Sequence, residues 1–134
     1  MYKSSIVENA PVYFLATETE FAQSISWVLK QERIVVVHFS DQEHLMNEIL
    51  LKRPALVLFG INQYNEADYY DFIYEMRIKM SHAPIPFFII SKLGGWKEVN
   101  KGLKAGALDY FEVPFNSILL TLKITNYLKF KMLT

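Results

Sequence analysis

At 134 residues, with 51% hydrophobic and 21% charged residues, the chain has enough apolar material for one core and no compositional sign of disorder. Lys plus Arg and Asp plus Glu both total 14, so no net field draws it to nucleic acid or to an anionic membrane surface. The absence of cysteine excludes disulfides, thiolate metal sites and thiol catalysis, and suits a reducing cytoplasm.

Residues Met1–Ala10 form a polar lead-in without the apolar stretch of a signal peptide. Short apolar runs then alternate five times with stretches of helical period, the pattern of βαβ units around a parallel sheet. The predicted strands are Val12–Ala16, Ile34–Phe39, Leu56–Phe59, Phe87–Ile90 and a weaker Leu108–Glu112, each read as buried on both faces. The first helix is predicted over about Glu18–Gln31, with Phe21, Ile25, Val28 and Leu29 on one face and Trp27 on the other. A second opens at Ser40-Asp41-Gln42-Glu43, where Ser40 and Glu43 have the spacing of a capping box, and stops before Arg53-Pro54. A tyrosine-rich third helix covers about Glu66–Met80, and a fourth covers about Trp96–Ala105 with Gly106 as its left-handed stop. Asn116 caps a fifth that reaches toward Phe130. The longest apolar runs, such as Ala55–Phe59 and Pro84–Ile90, are too short to cross a bilayer.

Three stretches make a specific family match. Ser40-Asp41-Gln42-Glu43 through Lys52-Arg53-Pro54-Ala55-Leu56-Val57-Leu58-Phe59 resembles the second helix and central third strand of response-regulator receiver (CheY-like) domains. Ile85-Pro86-Phe87-Phe88-Ile89-Ile90-Ser91 is similar to their fourth strand, which ends in Ser or Thr. Lys104-Ala105-Gly106-Ala107-Leu108-Asp109-Tyr110-Phe111-Glu112-Val113-Pro114-Phe115 resembles the fifth strand and its closing Lys-Pro-Phe. The resemblance spans nearly the whole chain. It implies one receiver-like domain over 1–134, with a flavodoxin-like doubly wound (βα)5 sandwich of strand order 2-1-3-4-5, in bacterial two-component or phosphorelay signalling.

The same alignment exposes what the chain has lost. Receivers place two acids after the first strand to bind Mg²⁺, a phosphoacceptor Asp after the third and a Lys before Pro-Phe. Here those positions hold Ala16 and Thr17, Gly60, and Val113, while Ser91 and the switch aromatic Tyr110 match. Glycine has no side chain with which to attack phosphorus, and Ala16 and Thr17 offer magnesium no carboxylate. Val113 cannot neutralise charge on a transferring phosphoryl group. The expectation is therefore a pseudo-receiver pocket turned into core, with no catalysis, no cofactor and no Mg²⁺.

Other signals read more plainly. Glu18 and Glu20 are first-turn acids beside a helix N-terminus rather than surviving metal ligands. Gly94-Gly95 lacks the Lys-Ser/Thr ending of a phosphate loop, and His38, His44 and His82 lack the pairing of a zinc helix. Tyr64, Tyr69, Tyr70 and Tyr74 form a cluster in which Tyr70 and Tyr74 have core spacing. On the fifth helix Leu120, Ile124, Tyr127 and Leu128 make the buried stripe, while Ile118, Leu119 and Leu122 make a second that points to an apolar contact surface. The expected function is phosphorylation-independent docking of a protein partner or a homodimer through the fourth helix, fifth strand and fifth helix. Lys97, Glu98, Lys101, Lys104 and Asp109 would rim that face. The alternative is a small-ligand sensor at the switch-point crevice of the sheet.

Overall fold

The computed structural model describes the backbone of residues 11–133 and the side chains of residues 11–129; the lead-in at 1–10 lies outside the described residues. Ten elements alternate in chain order: β1 Val12–Leu15, α1 Thr19–Lys30, β2 Val36–Phe39, α2 Gln42–Leu51, β3 Leu56–Ile61, α3 Glu66–Lys79, β4 Phe87–Ser91, α4 Trp96–Lys104, β5 Asp109–Glu112 and α5 Ser117–Leu133. The strands form one parallel sheet, as the alternation predicts, in the order β2-β1-β3-β4-β5 that the resemblance implies. Val12 is in register with both Val36 and Leu56, Val57 with Phe87, and Phe88 with Asp109. Among the described residues no helix is long and apolar enough to cross a membrane.

Because strand side chains alternate, one sheet supplies two cores. Tyr13, Leu15, Val57, Phe59, Phe87 and Ile89 face α2 and α3, where Leu45, Ile49, Phe72, Ile73 and Met76 cover them. Val12, Phe14, Leu56, Leu58, Phe88 and Ile90 face α1 and α5, covered by Ile25, Leu29, Leu120, Ile124 and Leu128. The central strands β1, β3 and β4 are buried throughout. The expectation of burial on both faces fails for β2 and β5, because among the described residues each is an edge strand with one neighbour.

Local signals set most boundaries. The α2 cap is Asp41, not Ser40: its carboxylate accepts the His44 N–H at 3.2 Å, because the helix starts one residue later than the capping-box reading places it. Gly106 ends α4 at φ +111°, a left-handed conformation that favours glycine. Asn116 Oδ1 accepts the N–H groups of Ile118 and Leu119 at 2.9 and 3.1 Å, satisfying the first turn of α5. The tyrosine expectation is corrected on α3. Tyr69 is buried, Tyr70 half-buried and Tyr74 69% exposed, so the buried stripe runs through Tyr69, Phe72, Ile73 and Met76.

Candidate functional site

The C-terminal ends of β1, β3 and β4 bring the expected pocket positions together. Ala16, Gly60 and Ser91 are buried, Thr17 is exposed, and Val113 is half-buried against the α1–α5 core. A side chain at Gly60 has almost no room: a Cβ placed there would lie 3.0 Å from the Ala16 methyl and 3.3 Å from both the Phe14 and Phe21 rings. Apolar groups thus close the space beneath the crest of β3, while the Ser91 hydroxyl accepts the Leu93 N–H at 2.9 Å.

Above this apolar floor lies a polar network that spacing alone does not reveal. Glu18 immediately precedes α1, and its two oxygens accept separate donors, Asn62 Nδ2 at 3.0 Å and Lys92 Nζ at 2.6 Å. These bonds hold its carboxyl below the usual range, Lys92 being the larger cause. Asn62 Oδ1 accepts the N–H groups of Tyr64 and Asn65, and Asn65 Oδ1 returns a bond from the Asn62 N–H. Asn65 Nδ2 donates to the Gly60 carbonyl at 3.1 Å. The loops after β1, β3 and β4 are therefore tied by one carboxylate and a pair of asparagines. The reading of Glu18 as a plain first-turn acid is incomplete, and Asn62, Asn65 and Lys92 were missed. The Asn62-x-x-Asn65 spacing between a strand and a helix was the available signal, since asparagine favours such turn bonds.

Tyr110 is half-buried on β5. Its hydroxyl donates to the Leu93 carbonyl at 2.7 Å, and its ring covers Gly102 so closely that a Cβ there would lie 2.6 Å from it. Burial raises its pKa, with a hydrogen bond from the Ser91 side acting in the opposite direction.

No protein-family model and no curated protein matches the sequence. Solved structures do. The receiver domain of the Francisella response regulator 1452 superposes with a TM-score of 0.79 at 20% identity, over 92% of this chain and 99% of that one. A response regulator from Thermotoga maritima gives 0.77 at 14% identity, over 90% of this chain and 98% of its own. NtrX from Brucella abortus, solved in complex with ADP, gives 0.77 at 21% identity over 92% of this chain, which spans 27% of the NtrX chain. The chain has the receiver fold.

The receiver fold implies a magnesium site, and the residues here do not fit one. Ala16 and Gly60 bring no oxygen-bearing side chain, Thr17 brings only a hydroxyl, and both Glu18 oxygens are engaged by Asn62 and Lys92. A second part of the receiver fold, the α4-β5-α5 face, holds the expected contact residues in three settings. Lys101 is drawn to α3, with Nζ 3.2 Å from Glu66 and 4.5 Å above the Tyr70 ring. Glu98 is half-buried, and a hydrogen bond with the Glu66 carboxyl raises its pKa. Asp109 pairs with Lys123 of α5 at 3.1 Å, while Lys97 and Lys104 are exposed. Ile118, Leu119 and Leu122 are 71%, 48% and 51% exposed. Ile118 and Leu122 line a groove of about 330 Å³ with Trp27 and Val28 of α1, whereas Leu119 does not line it.

Proposed function

We propose that the chain is a receiver-like domain of two-component signal transduction that works without phosphorylation, as a non-catalytic protein-interaction or dimerisation module. One observation carries this reading. Gly60, at the phosphoacceptor position, is enclosed by Ala16, Phe14 and Phe21, and the Glu18 carboxylate is bonded to Asn62 and Lys92. A nucleophile and a metal site are both missing from one place, so phosphotransfer has neither its attacking group nor its charge neutralisation.

Tyr110 is held by contacts within the chain, its ring seated over Gly102 and its hydroxyl bonded to the Leu93 carbonyl. A conformational change requires a ligand with different affinity for two states, and this pocket offers none of the usual contacts. The docking surface in this proposal is the exposed apolar stripe of α5, with Leu119 beside the α4-β5-α5 face and Ile118 and Leu122 opening toward α1, taking a protein partner or a second copy in the cytoplasm. A small-ligand sensor at the switch point gains no support, because Glu18, Asn62, Asn65 and Lys92 bond one another.

The test is incubation with acetyl phosphate and Mg²⁺ followed by intact-mass measurement. An unchanged mass is expected; a hydroxylamine-labile gain of one phosphate overturns the proposal. Millimolar Mg²⁺ should also leave the melting temperature unchanged, since only a ligand preferring the folded state raises it.

A further inference from the structure

Apolar burial anchors α4 less than any other helix. Of its nine residues only Gly102 is buried, beneath the Tyr110 ring, while Trp96 and Leu103 are 74% and 46% exposed. The chain turns at positive φ on either side of it, at Gly95 and Gly106. Polar contacts hold it to the body instead. The Gly95 N–H donates to Glu112 Oε1 at 3.2 Å, and the Arg77 guanidinium donates to the Ala105 carbonyl at 2.5 Å. Between these ends Lys101 Nζ lies 3.2 Å from Glu66 Oε2 on α3 and 4.5 Å above the Tyr70 ring. Three residues before Lys101, the Glu98 carboxyl meets the carboxyl of the same Glu66. Glu98 Oε2 is buried, and no N–H or O–H among the described residues donates to it. Two ionised carboxylates have no hydrogen between them, so a bond of this kind forms only when one of them carries a proton.

We propose that Glu98 and Glu66 form a proton-operated latch between α4 and α3, closed while the two carboxyls share a proton and released when that proton is lost. The cluster comprises Glu66 and Tyr70 on α3, Glu98 and Lys101 on α4, and Tyr110 and Glu112 on β5. The hydrogen bond with Glu66 is the largest cause that raises the Glu98 pKa; burial and the Glu66 charge add to it, and Lys101 opposes it. Burial holds both tyrosines above their ordinary value, so they keep their protons while the pair titrates. The folded value of Glu98 lies above the unfolded one. The latch therefore contributes fully below the ordinary glutamate range and is lost as pH rises through the raised value. The proton acts here as a ligand with greater affinity for the closed state than for the open one. It acts on α4 beside the α4-β5-α5 face and involves neither the phosphoacceptor position nor the α5 stripe, so the latch stands or falls apart from the proposed function.

One tryptophan, Trp96, lies on α4 and the other, Trp27, on α1, so ¹⁹F NMR of the chain labelled with fluorotryptophan tests the latch with an internal control. Trp27→Phe assigns the two resonances. From about pH 4 to about pH 8 the Trp96 resonance is expected to move with a midpoint above the ordinary glutamate range, while that of Trp27 stays in place. Glu98→Gln, which keeps a permanent donor toward Glu66, should hold the Trp96 resonance at its acid position throughout. Glu66→Gln, on the facing side, should move the midpoint down. Glu98→Gln should also raise the melting temperature at neutral pH and leave it unchanged in acid. A Trp96 resonance that does not titrate, or one that titrates unchanged in Glu98→Gln, overturns the proposal. So does movement of the Trp27 resonance with the same midpoint, which would report a change of the whole domain.

Discussion

Glu18 is the residue on which the crest of the sheet converges, and its charge state is the testable consequence. Its carboxyl is held below the usual range by Lys92 and Asn62, so the unfolded chain binds the proton more readily than the folded one. The resulting stabilisation is present at neutral pH and is lost as pH falls through the lowered folded value. Glu18→Gln should therefore lower stability at pH 7 by less than about 1 kcal/mol, because the pair is roughly half exposed. The gap to wild type should vanish in melts recorded in strong acid; a gap that persists there would remove the ion pair as its cause. Gly102 is the second informative position. An added Cβ would lie 2.6 Å from the Tyr110 ring and 3.0 Å from Ile89 Cδ1. Gly102→Ala should destabilise by about 1–3 kcal/mol despite alanine's better helix propensity. Urea titration checks it, and a neutral or stabilising result would mean the Tyr110 ring moves freely.

At the scale of elements, β3 and the start of α5 depend on different forces. Phe59 is fully buried at the centre of β3, with the Phe72, Phe87 and Tyr69 rings at 5.9, 5.5 and 6.4 Å. Phe59→Ala should cost about 3–5 kcal/mol through lost apolar burial and a residual cavity. A loss under about 1 kcal/mol in denaturant unfolding would show that the ring cluster collapses around the gap. Both elements were legible from their local pattern, a continuous apolar run for β3 and a capping residue before a periodic stretch for α5. The α2 cap and the Tyr74 face were not, because a shift of one residue rotates a helix by about a quarter of a turn and no local signal opposes that.

For the whole molecule, the docking proposal rests on which apolar groups the packed layers leave uncovered. Leu119→Glu/Leu122→Glu should retain the wild-type fold and melting temperature within a few degrees, because half-exposed positions tolerate charge. The same variant should lose self-association or partner capture, measured by sedimentation velocity and by affinity capture against the wild type. Unfolding of the variant would instead place those leucines in the core. The α5 stripe itself was legible as a second apolar period. Its division, with Ile118 and Leu122 opening onto Trp27 and Leu119 outside that groove, depends on how α1 lies beside α5.

The sequence by itself determined the alternation of strands and helices, and with it the doubly wound class, because hydrophobic period is a local property of the chain. It also determined that residue 60 has no nucleophile, since a missing side chain is missing in any conformation. Only the tertiary structure decided what occupies the crest of the sheet. Glu18 and Lys92 are 74 positions apart and Glu18 and Asn62 are 44 apart, so their bonds exist only once β1, β3 and β4 are side by side. The place of β2 at the end of the sheet among the described residues was decided the same way, because a strand's place in the sheet order is set by its neighbours and not by its own four residues.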